Sequence, residues 1–402
     1  MNDPIEIPVV FTMDDNYAPM GGAAIKSVIL HSNRKKRYRI YVLHRGVQIE
    51  TLRKLENLGE EHIPVECINL KEKRVECIQG FRHIFFPVES TDRLLIAELF
   101  KQYEKIVYLD CDVIVKVDIA KVFQADLEGY LLGAVHTCAI PSTIKHNQEV
   151  LGFTDAFKSG ALLINTALMC REKVRERCFQ LLEEDMQRKA PKYTWPDQDV
   201  LNIVCKGMVR YFGEEWNFIT GPLNPYASPE STLPSELLRE HLDIAKKRKI
   251  IHYTGEMRPW IYPDVPMGDD FWTVARQTDF YDDLVTKLRT AMTKRRENFP
   301  LYNIREGSDV VLYGAGEMGK YLWTMIQKEK NLCNVVLWVD KNAHALLELN
   351  GIVHGIEEIN TTKYDQIMIA VRDQGMADSI RADLVKNRGC DVDKIVWAFQ
   401  KR

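Results

Sequence analysis

Two aspartates, Asp110 and Asp112, stand directly after the apolar run Lys105–Leu109. Residues i and i+2 of an extended chain point to the same side, so we expect these carboxylates to converge. Converging carboxylates repel each other unless a cation lies between them. A divalent cation with vacant positions can bind diphosphate oxygens, so the pattern predicts a metal site for a phosphorylated ligand. The alternative is a solvated pair at the end of a strand.

A glycine motif near the C-terminus is the second candidate for chemistry. Gly314, Gly316 and Gly319 lie between a predicted strand and a predicted helix, and Asp340 ends the next predicted strand. This arrangement is typical of nucleotide-binding turns, in which the acid meets a ribose hydroxyl. We expect a nucleotide or nucleotide-sugar here, with a structural or docking role as the alternative. A redox role is disfavoured because the segment is half of a full dinucleotide fold.

The elements that must position these groups alternate along the chain. Strands are predicted at 7–12, 38–43, 64–70, 105–109, 131–135, 309–313, 335–339, 366–371 and 394–398. Helices are predicted at 18–31, 48–58, 319–328 and 376–387, and the segment 93–104 is amphipathic. Continuous apolar strands separated by helices indicate a mainly parallel α/β sheet with helices on both faces. Such sheets bind ligands beyond the carboxyl ends of their strands, which is where the aspartates lie.

The pattern changes near residue 300. The segment 287–296 is helical and basic, and Pro300 ends it. We predict a catalytic domain over 1–285, a basic helical linker over 286–305 and a small Rossmann-like α/β domain over 306–402. The linker is interpreted as solvated, with peripheral contact to an anionic membrane as the alternative.

Composition limits the class of protein. The 402 residues carry a formal net charge of −3, so no overall bias toward nucleic acid is expected. No apolar run approaches the roughly 20 residues that span a bilayer, and the N-terminus lacks the pattern of a secretion signal. The nine cysteines include no Cys-x-x-Cys pair and their number is odd, which favours free thiols. We therefore expect a cytoplasmic protein.

The first motifs along the chain resemble those of glycosyltransferase family 8, the bacterial retaining galactosyl- and glucosyltransferases related to glycogenin. The segment Val-Val-Phe-Thr-Met-Asp-Asp-Asn-Tyr at 9–17 is similar to the family's first strand and donor loop. The resemblance implies that Thr12, Asp14 and Asn16 touch the base and ribose of the nucleotide. The alternative for the Asp-Asp-Asn stretch is capping of the helix that follows. Arg93 stands where the family's Arg-Leu segment contacts the donor.

The central motifs extend the resemblance. The aspartates Asp110 and Asp112 match the family's metal-binding Asp-x-Asp. The segment 157–165 is similar to its Phe-Asn-x-Gly-Val, with Lys158 replacing the asparagine and Ser159 beside it. The resemblance places both of these residues at the donor sugar.

The last two motifs carry the remaining implied roles. Asp197, Gln198 and Asp199 resemble the family's Asp-Gln-Asp, whose aspartate binds the transferred sugar and whose glutamine lies beneath the anomeric carbon. The alternative is a helix start with favourable acids in its first turn. His252 would be the third metal ligand, and Gly255 and Arg258 would meet the diphosphate, Arg258 replacing a lysine.

Over residues 5–285 the resemblance implies a nucleotide-diphospho-sugar transferase fold and a retaining, metal-dependent hexosyltransferase. The expected metal is Mn²⁺, with Mg²⁺ as the alternative, because an imidazole with two carboxylates suits manganese. Expected partners are a UDP-sugar donor, carrying glucose or galactose, and a glycan or lipid-linked acceptor of bacterial surface polysaccharide synthesis. The alternatives are a nucleotide-sugar-binding protein that has lost transfer and a self-glycosylating enzyme like glycogenin.

Overall fold

The computed structural model describes residues 5–72, 88–223, 232–255, 258–298, 304–328, 332–345, 351–371 and 373–398. The chain divides into two compact units, Met1–Leu288 and Arg289–Arg402. Within the described ranges, no helix combines the length and the apolar character needed to cross a membrane.

The first unit is built on a seven-stranded mixed sheet. Its strands are β1 (Glu6–Thr12), β2 (Arg37–His44), β3 (Val65–Asn69), β4 (Lys105–Leu109), β6 (Leu132–His136), β7 (Phe157–Asn165) and β8 (Val209–Phe212), with β5 (Val113–Val115) outside this sheet. The order is β3-β2-β1-β4-β7-β6-β8. Only β7 runs antiparallel to its neighbours among these pairs, so the sheet is mainly parallel as predicted.

Alternating residues of each strand enter two different apolar cores. In β1, Val9 and Phe11 belong to one core and Val10 to the other, and all three are fully buried. This alternation arises because successive side chains of a strand point to opposite faces. Both faces of the sheet are therefore covered, which explains why the central strands are almost continuously apolar.

Helices and a small second sheet cover these faces. The helices of the first unit are α1 (Ala18–His31), α2 (Ile49–Glu56), α3 (Ile96–Leu99), α4 (Ala120–Phe123), α5 (Pro141–His146), α6 (Thr166–Arg171), α7 (Val174–Met186), α8 (Pro196–Cys205), α9 (Ser235–Ala245) and α10 (Gly268–Ala275). A further helix, α11 (Tyr281–Asn298), begins in this unit and continues past its last residue, Leu288. The small sheet joins β5 to β9 (Phe218–Ile219) and β10 (Ile250–His252) in the order β5-β10-β9. Because β5 follows β4 after a short turn, this sheet brings β10 beside the end of β4.

Two predicted segments differ from the structure. The amphipathic segment 93–104 is not one helix: it begins inside a 3-10 segment, Val88–Leu95, and continues only as the four-residue α3. The side chain of Arg93 is turned into the protein, where it forms buried ion pairs with Asp110 and Asp197. These ion pairs, and not the helical periodicity, determine the local backbone. The basic helix predicted from residue 287 begins earlier, at Tyr281, as α11, while Pro300 lies outside the described residues.

The second unit contains a four-stranded parallel sheet. Its strands are β11 (Ser308–Tyr313), β12 (Cys333–Val339), β13 (Gln366–Ile369) and β14 (Ile395–Trp397), and its helices are α12 (Glu317–Lys328) and α13 (Gln374–Arg388). The order is β12-β11-β13-β14, and every pairing is parallel. The strands and helices predicted after residue 305 are thus present, with bounds shifted by a few residues.

Candidate active site

The two aspartates of the Asp-x-Asp motif lie in the turn between β4 and β5. This segment is not extended, because β4 ends at Leu109 and β5 begins at Val113. The backbone N–H of Asp110 donates to the carbonyl of Gly160 at 2.9 Å, and the carbonyl of Asp112 accepts from Tyr253 N at 2.9 Å. The carboxylates therefore converge because β7 and β10 hold the turn from both sides.

Asp110, Asp112 and His252 form a cluster whose ligand atoms all lie within 4.8 Å of one another. His252 Nε2 is 3.1 Å from Asp112 Oδ1 and 3.8 Å from Asp110 Oδ2. On the other side of the ring, Nδ1 lies 2.9 Å from the amide oxygen of Asn217. That oxygen accepts from Nδ1–H, which leaves Nε2 directed at the two carboxylates. Such an arrangement calls for a cation, and a second partner that orients the ring is usual for a metal-binding histidine.

Arg258 lies beside this cluster and keeps free hydrogen-bonding capacity. Its Nη2 is 3.7 Å from Asp112 Oδ2 and its Nη1 donates to the Tyr17 hydroxyl at 3.1 Å. The buried Nε has no partner among the described residues. Burial raises the pKa of Asp112, but His252 and then Arg258 outweigh it and hold that pKa below its usual value. A guanidinium with an unsatisfied N–H beside a carboxylate cluster fits an anion such as a diphosphate.

Arg93 connects the Asp-x-Asp turn to α8. Its guanidinium is 2.8 Å from Asp110 Oδ1 and 3.0 Å from Asp197 Oδ2. It also donates to the Ser159 hydroxyl at 2.8 Å and lies over the ring of Tyr108. Burial lowers the pKa of Arg93, but the two aspartates outweigh it, so the side chain stays charged. The arginine thus fixes three predicted site residues relative to one another.

The Asp-Gln-Asp motif divides between two environments. Gln198 Oε1 accepts from the backbone N–H of Ser159 at 3.0 Å, which places Gln198 beside Asp197 and Arg93. Asp199 is not brought to this group. Its Oδ1 lies 2.9 Å from His146 Nε2 and its Oδ2 accepts from the backbone N–H of Trp195 at 3.1 Å. Asp199 is 1% exposed and lies in the first turn of α8, where an acid is favourable.

The donor loop after β1 lies at the same edge of the sheet. Thr12 Oγ1 is 3.3 Å from the Tyr108 hydroxyl, and Asp14 accepts from the backbone N–H of Tyr17 at 2.8 Å. Asn16 Oδ1 accepts from Lys287 Nζ at 2.5 Å. Asp14 therefore orders the turn before α1, and the first lysine of the predicted basic linker contacts the donor loop.

Lys158 and Gly255 have surroundings that the sequence did not indicate. The ammonium of Lys158 points to Cys138 Sγ at 3.9 Å, and the residue is 6% exposed. Gly255 has φ +78°, a conformation that side chains disfavour, so glycine is required there by the backbone itself.

In the second unit, the glycine motif forms a tight turn between β11 and α12. Gly314 has φ +107°, and a Cβ on Gly319 would lie 1.9 Å from the carbonyl oxygen of Gly314, whereas Gly316 has open space. Asp340 accepts backbone N–H groups from Ala315 at 2.7 Å and Asn342 at 2.7 Å. The carboxylate thus holds the turn, and nucleotide binding there stays a prediction.

Two residues at the cluster were missed. Gly160 faces it, because a Cβ there would lie 2.2 Å from His252 Cε1 and 2.8 Å from Asp110 Oδ2. Asn217 orients His252 from a separate 3-10 turn, Glu214–Asn217. Gly160 lies in the motif at 157–165, so the sequence could have indicated it. Asn217 lies in no motif, because its contact with His252 depends on the pairing of β9 with β10.

Comparison with known proteins shows the family of this chain. Residues 8–263 match the model of Glycosyl transferase family 8, and the chain belongs to this family. It is 26% identical over 276 residues to a lipopolysaccharide 1,2-glucosyltransferase of Escherichia coli (strain K12), covering 64% of this chain and 75% of that protein.

Two solved structures are similar in fold. The apo structure of the bifunctional glycosyltransferase WbbM has a TM-score of 0.61 and 28% identity, over 71% of this chain and about half (52%) of that chain. The galactosyltransferase LgtC, solved with donor and acceptor sugar analogs, has a TM-score of 0.53 and 24% identity, over 68% of this chain and 96% of its own. The predicted family and the α/β transferase fold of the first unit are confirmed, and the protein is a glycosyltransferase.

Proposed function

We propose that this glycosyltransferase is a retaining, metal-dependent hexosyltransferase that takes glucose or galactose from a UDP-sugar. Its acceptor is a glycan or a lipid-linked sugar of bacterial surface polysaccharide synthesis, and it acts in the cytoplasm or at the inner face of the membrane. The family supports a nucleotide-sugar donor, and the similarity to a lipopolysaccharide glucosyltransferase supports the acceptor class.

The observation that carries the proposal is the cluster of Asp110, Asp112 and His252 beside Arg258. Two carboxylate oxygens and an imidazole nitrogen would hold Mn²⁺, with Mg²⁺ as the alternative. When bound, the metal supplies positive charge for the departing diphosphate. Arg258 would add charge-assisted hydrogen bonds through its unpartnered Nε, while Thr12, Asp14 and Asn16 would contact the base and ribose.

Retention of configuration is proposed to follow a front-face route through an oxocarbenium-like state. Double displacement needs a nucleophile, usually a carboxylate, below the anomeric carbon. Gln198 is an amide, and both carboxylate oxygens of Asp199 are engaged by His146 and Trp195. In this route Asp197 orients the sugar, Gln198 shields its lower face and the leaving phosphate takes the proton of the acceptor.

The test is nucleotide release from a panel of UDP-sugars with Mn²⁺, with and without EDTA. Asp112→Asn should lower release more than about tenfold, because the charge stabilisation at stake is several kcal/mol. The matched control is Asp264→Asn, which removes an exposed carboxylate of the same unit and should leave release unchanged.

Other results would favour the alternatives. Binding of UDP-sugars without any nucleotide release would identify a protein that has lost transfer. An increase in intact mass by one or more hexose units, after incubation with donor alone, would identify self-glycosylation. Release that is insensitive to both EDTA and Asp112→Asn would refute the assignment of the cluster.

A further inference from the structure

A second cavity lies in the first unit, at the carboxyl ends of the parallel strands β6 and β8. Its volume is about 270 Å³. One wall is the segment that follows β6, including Thr137 and Cys138, together with Phe212 and Glu214. The opposite wall is one face of α9.

The wall formed by α9 has the spacing of a single helix face. Leu237, Glu240, His241 and Ile244 line the cavity at positions i, i+3, i+4 and i+7. Leu237 and Ile244 are half-buried and apolar, whereas Glu240 is an exposed carboxylate. The wall thus offers an apolar surface bordered by a hydrogen-bond acceptor.

Glu214 is held in a fixed orientation at the cavity. Its Oε1 lies 2.7 Å from His241 Nδ1 and accepts from Cys138 Sγ at 3.3 Å. His241 is 2% exposed, and its Nε2 donates to the carbonyl of Ile219 at 3.0 Å. Glu214 Oε2 has no hydrogen-bond partner among the described residues. This oxygen is therefore a preoriented acceptor for a ligand.

Glu214 stays ionised in this position. Burial raises its pKa, but the hydrogen bond from His241 and the charge of Lys158 outweigh burial and lower the pKa below its usual value. An ionised carboxylate only accepts hydrogen bonds, and hydroxyl groups are strong donors to it. A second carboxylate, Glu240, faces the same space, so an anionic ligand would be repelled.

The cavity and the candidate metal cluster are linked by one 3-10 turn. Glu214 and Asn217 are the first and last residues of one 3-10 turn, and Asn217 contacts His252. With a rise of about 2.0 Å per residue, the two ends of this turn are roughly 6 Å apart. A ligand against Glu214 would thus lie one 3-10 turn away from the residue that orients His252.

We propose that this cavity binds a neutral sugar ring of the acceptor. Carboxylates facing inward suit sugar hydroxyls, and the apolar faces of Phe212, Leu237 and Ile244 suit the C–H faces of a pyranose. The volume is just below the roughly 300 Å³ at which ligand pockets usually begin, which fits one ring and not a lipid chain. This inference rests on the proposed function, since it names the acceptor class of the same reaction.

Variants on α9 separate the cavity from the donor site. Leu237→Trp fills the cavity, and Glu240→Gln removes one carboxylate from an exposed position. The matched control is Leu242→Trp, because Leu242 is 46% exposed and does not line the cavity. The probes are methyl glycosides of glucose and galactose, with methyl glucuronide as the anionic counterpart.

Two rates are measured: UDP release without acceptor, and transfer as a function of glycoside concentration. We expect Glu240→Gln to raise the acceptor KM by roughly tenfold, the effect of one lost charged hydrogen bond, and Leu237→Trp to raise it at least as much because the indole occupies the cavity. UDP release without acceptor, the donor KM and all rates of Leu242→Trp should be unchanged. Methyl glucuronide should be the poorest acceptor.

An unchanged acceptor KM in both cavity variants, or a parallel fall in UDP release, would overturn the inference. If the wild-type protein releases no UDP, the proposed function fails, and saturation-transfer NMR tests the cavity separately. In that experiment the neutral glycosides should give signals that Leu237→Trp removes and Leu242→Trp retains. Equal signals from both variants would refute binding in the cavity.

Discussion

Gly160 has no side chain, and this lets the candidate metal cluster assemble. A Cβ at this position would lie 2.2 Å from His252 Cε1, 2.7 Å from His252 Nδ1 and 2.8 Å from Asp110 Oδ2. Carbon contacts at optimal separation are about 3.5–4.0 Å, so Gly160→Ala must displace the imidazole or the carboxylate by about 1 Å. Both groups are held by hydrogen bonds, and His252 is also buried, so such a displacement would break contacts that both groups now make.

The expected result is a loss of metal affinity that exceeds any effect on secondary structure. Disturbing the groups that orient metal ligands costs about 10–100-fold in affinity, or about 1.4–2.7 kcal/mol. Overpacking adds a destabilisation of about 1–3 kcal/mol. Mn²⁺ affinity is measured by electron paramagnetic resonance of free Mn²⁺, and stability by urea unfolding.

Gly133→Ala is the matched control for overpacking. Gly133 lies in β6 of the same sheet, and a Cβ there would lie 2.4 Å from the ring of Phe212, away from the cluster. It should lower stability to a similar extent and leave Mn²⁺ affinity unchanged. Equal Mn²⁺ affinity in both variants and the wild-type protein would refute the geometric reasoning.

Three further predictions concern charged groups around the site and the fold. Arg258→Ala should raise the KM for the UDP-sugar by about 10–100-fold, since a charged hydrogen bond contributes about 1.5–3 kcal/mol. Arg258→Lys keeps the positive charge and should therefore raise this KM less than Arg258→Ala does. Asp199→Asn should lower the free energy of unfolding by about 1–3 kcal/mol, and intact-mass analysis of the wild-type protein with donor should find no glycosyl adduct on Asp199. Burial raises the pKa of Asp270, but the hydrogen bonds and charges of Lys116 and Arg248 outweigh burial, so the pKa is depressed in the folded state. Ionised Asp270 therefore stabilises the folded protein above the unfolded-state pKa of about 3.9. Asp270→Asn should therefore cost about 1 kcal/mol at pH 7, and urea unfolding should show this difference vanishing as the pH falls below 3.9 through the folded pKa.

Much of the first unit follows from local patterns. The helix Ala18–His31 and the strand Lys105–Leu109 have the bounds that the sequence predicts. Both are governed by hydrophobic periodicity, which is a property of neighbouring residues. The segment after Arg93 shows the limit, because buried ion pairs with Asp110 and Asp197 override its helical periodicity.

The convergence of Asp110 and Asp112 was predicted for an incomplete reason. An extended chain was expected to align the carboxylates, but they lie in a turn that Gly160 and Tyr253 hold. The prediction that His252 joins them came from resemblance and not from spacing. In the structure, pairing of β10 with β5 brings His252 opposite Val113.

The sequence by itself determined the residue types of the site, the alternation of strands and helices, and the family. Tertiary structure decided which of these residues meet: Gly160 and Asn217 join the cluster, Asp199 turns to His146, and Lys158 to Cys138. The physical reason is the sequence separation of the residues that interact. Strand and helix periodicity is set by nearest neighbours, whereas contacts between residues dozens of positions apart depend on sheet order and on burial, which no local segment encodes.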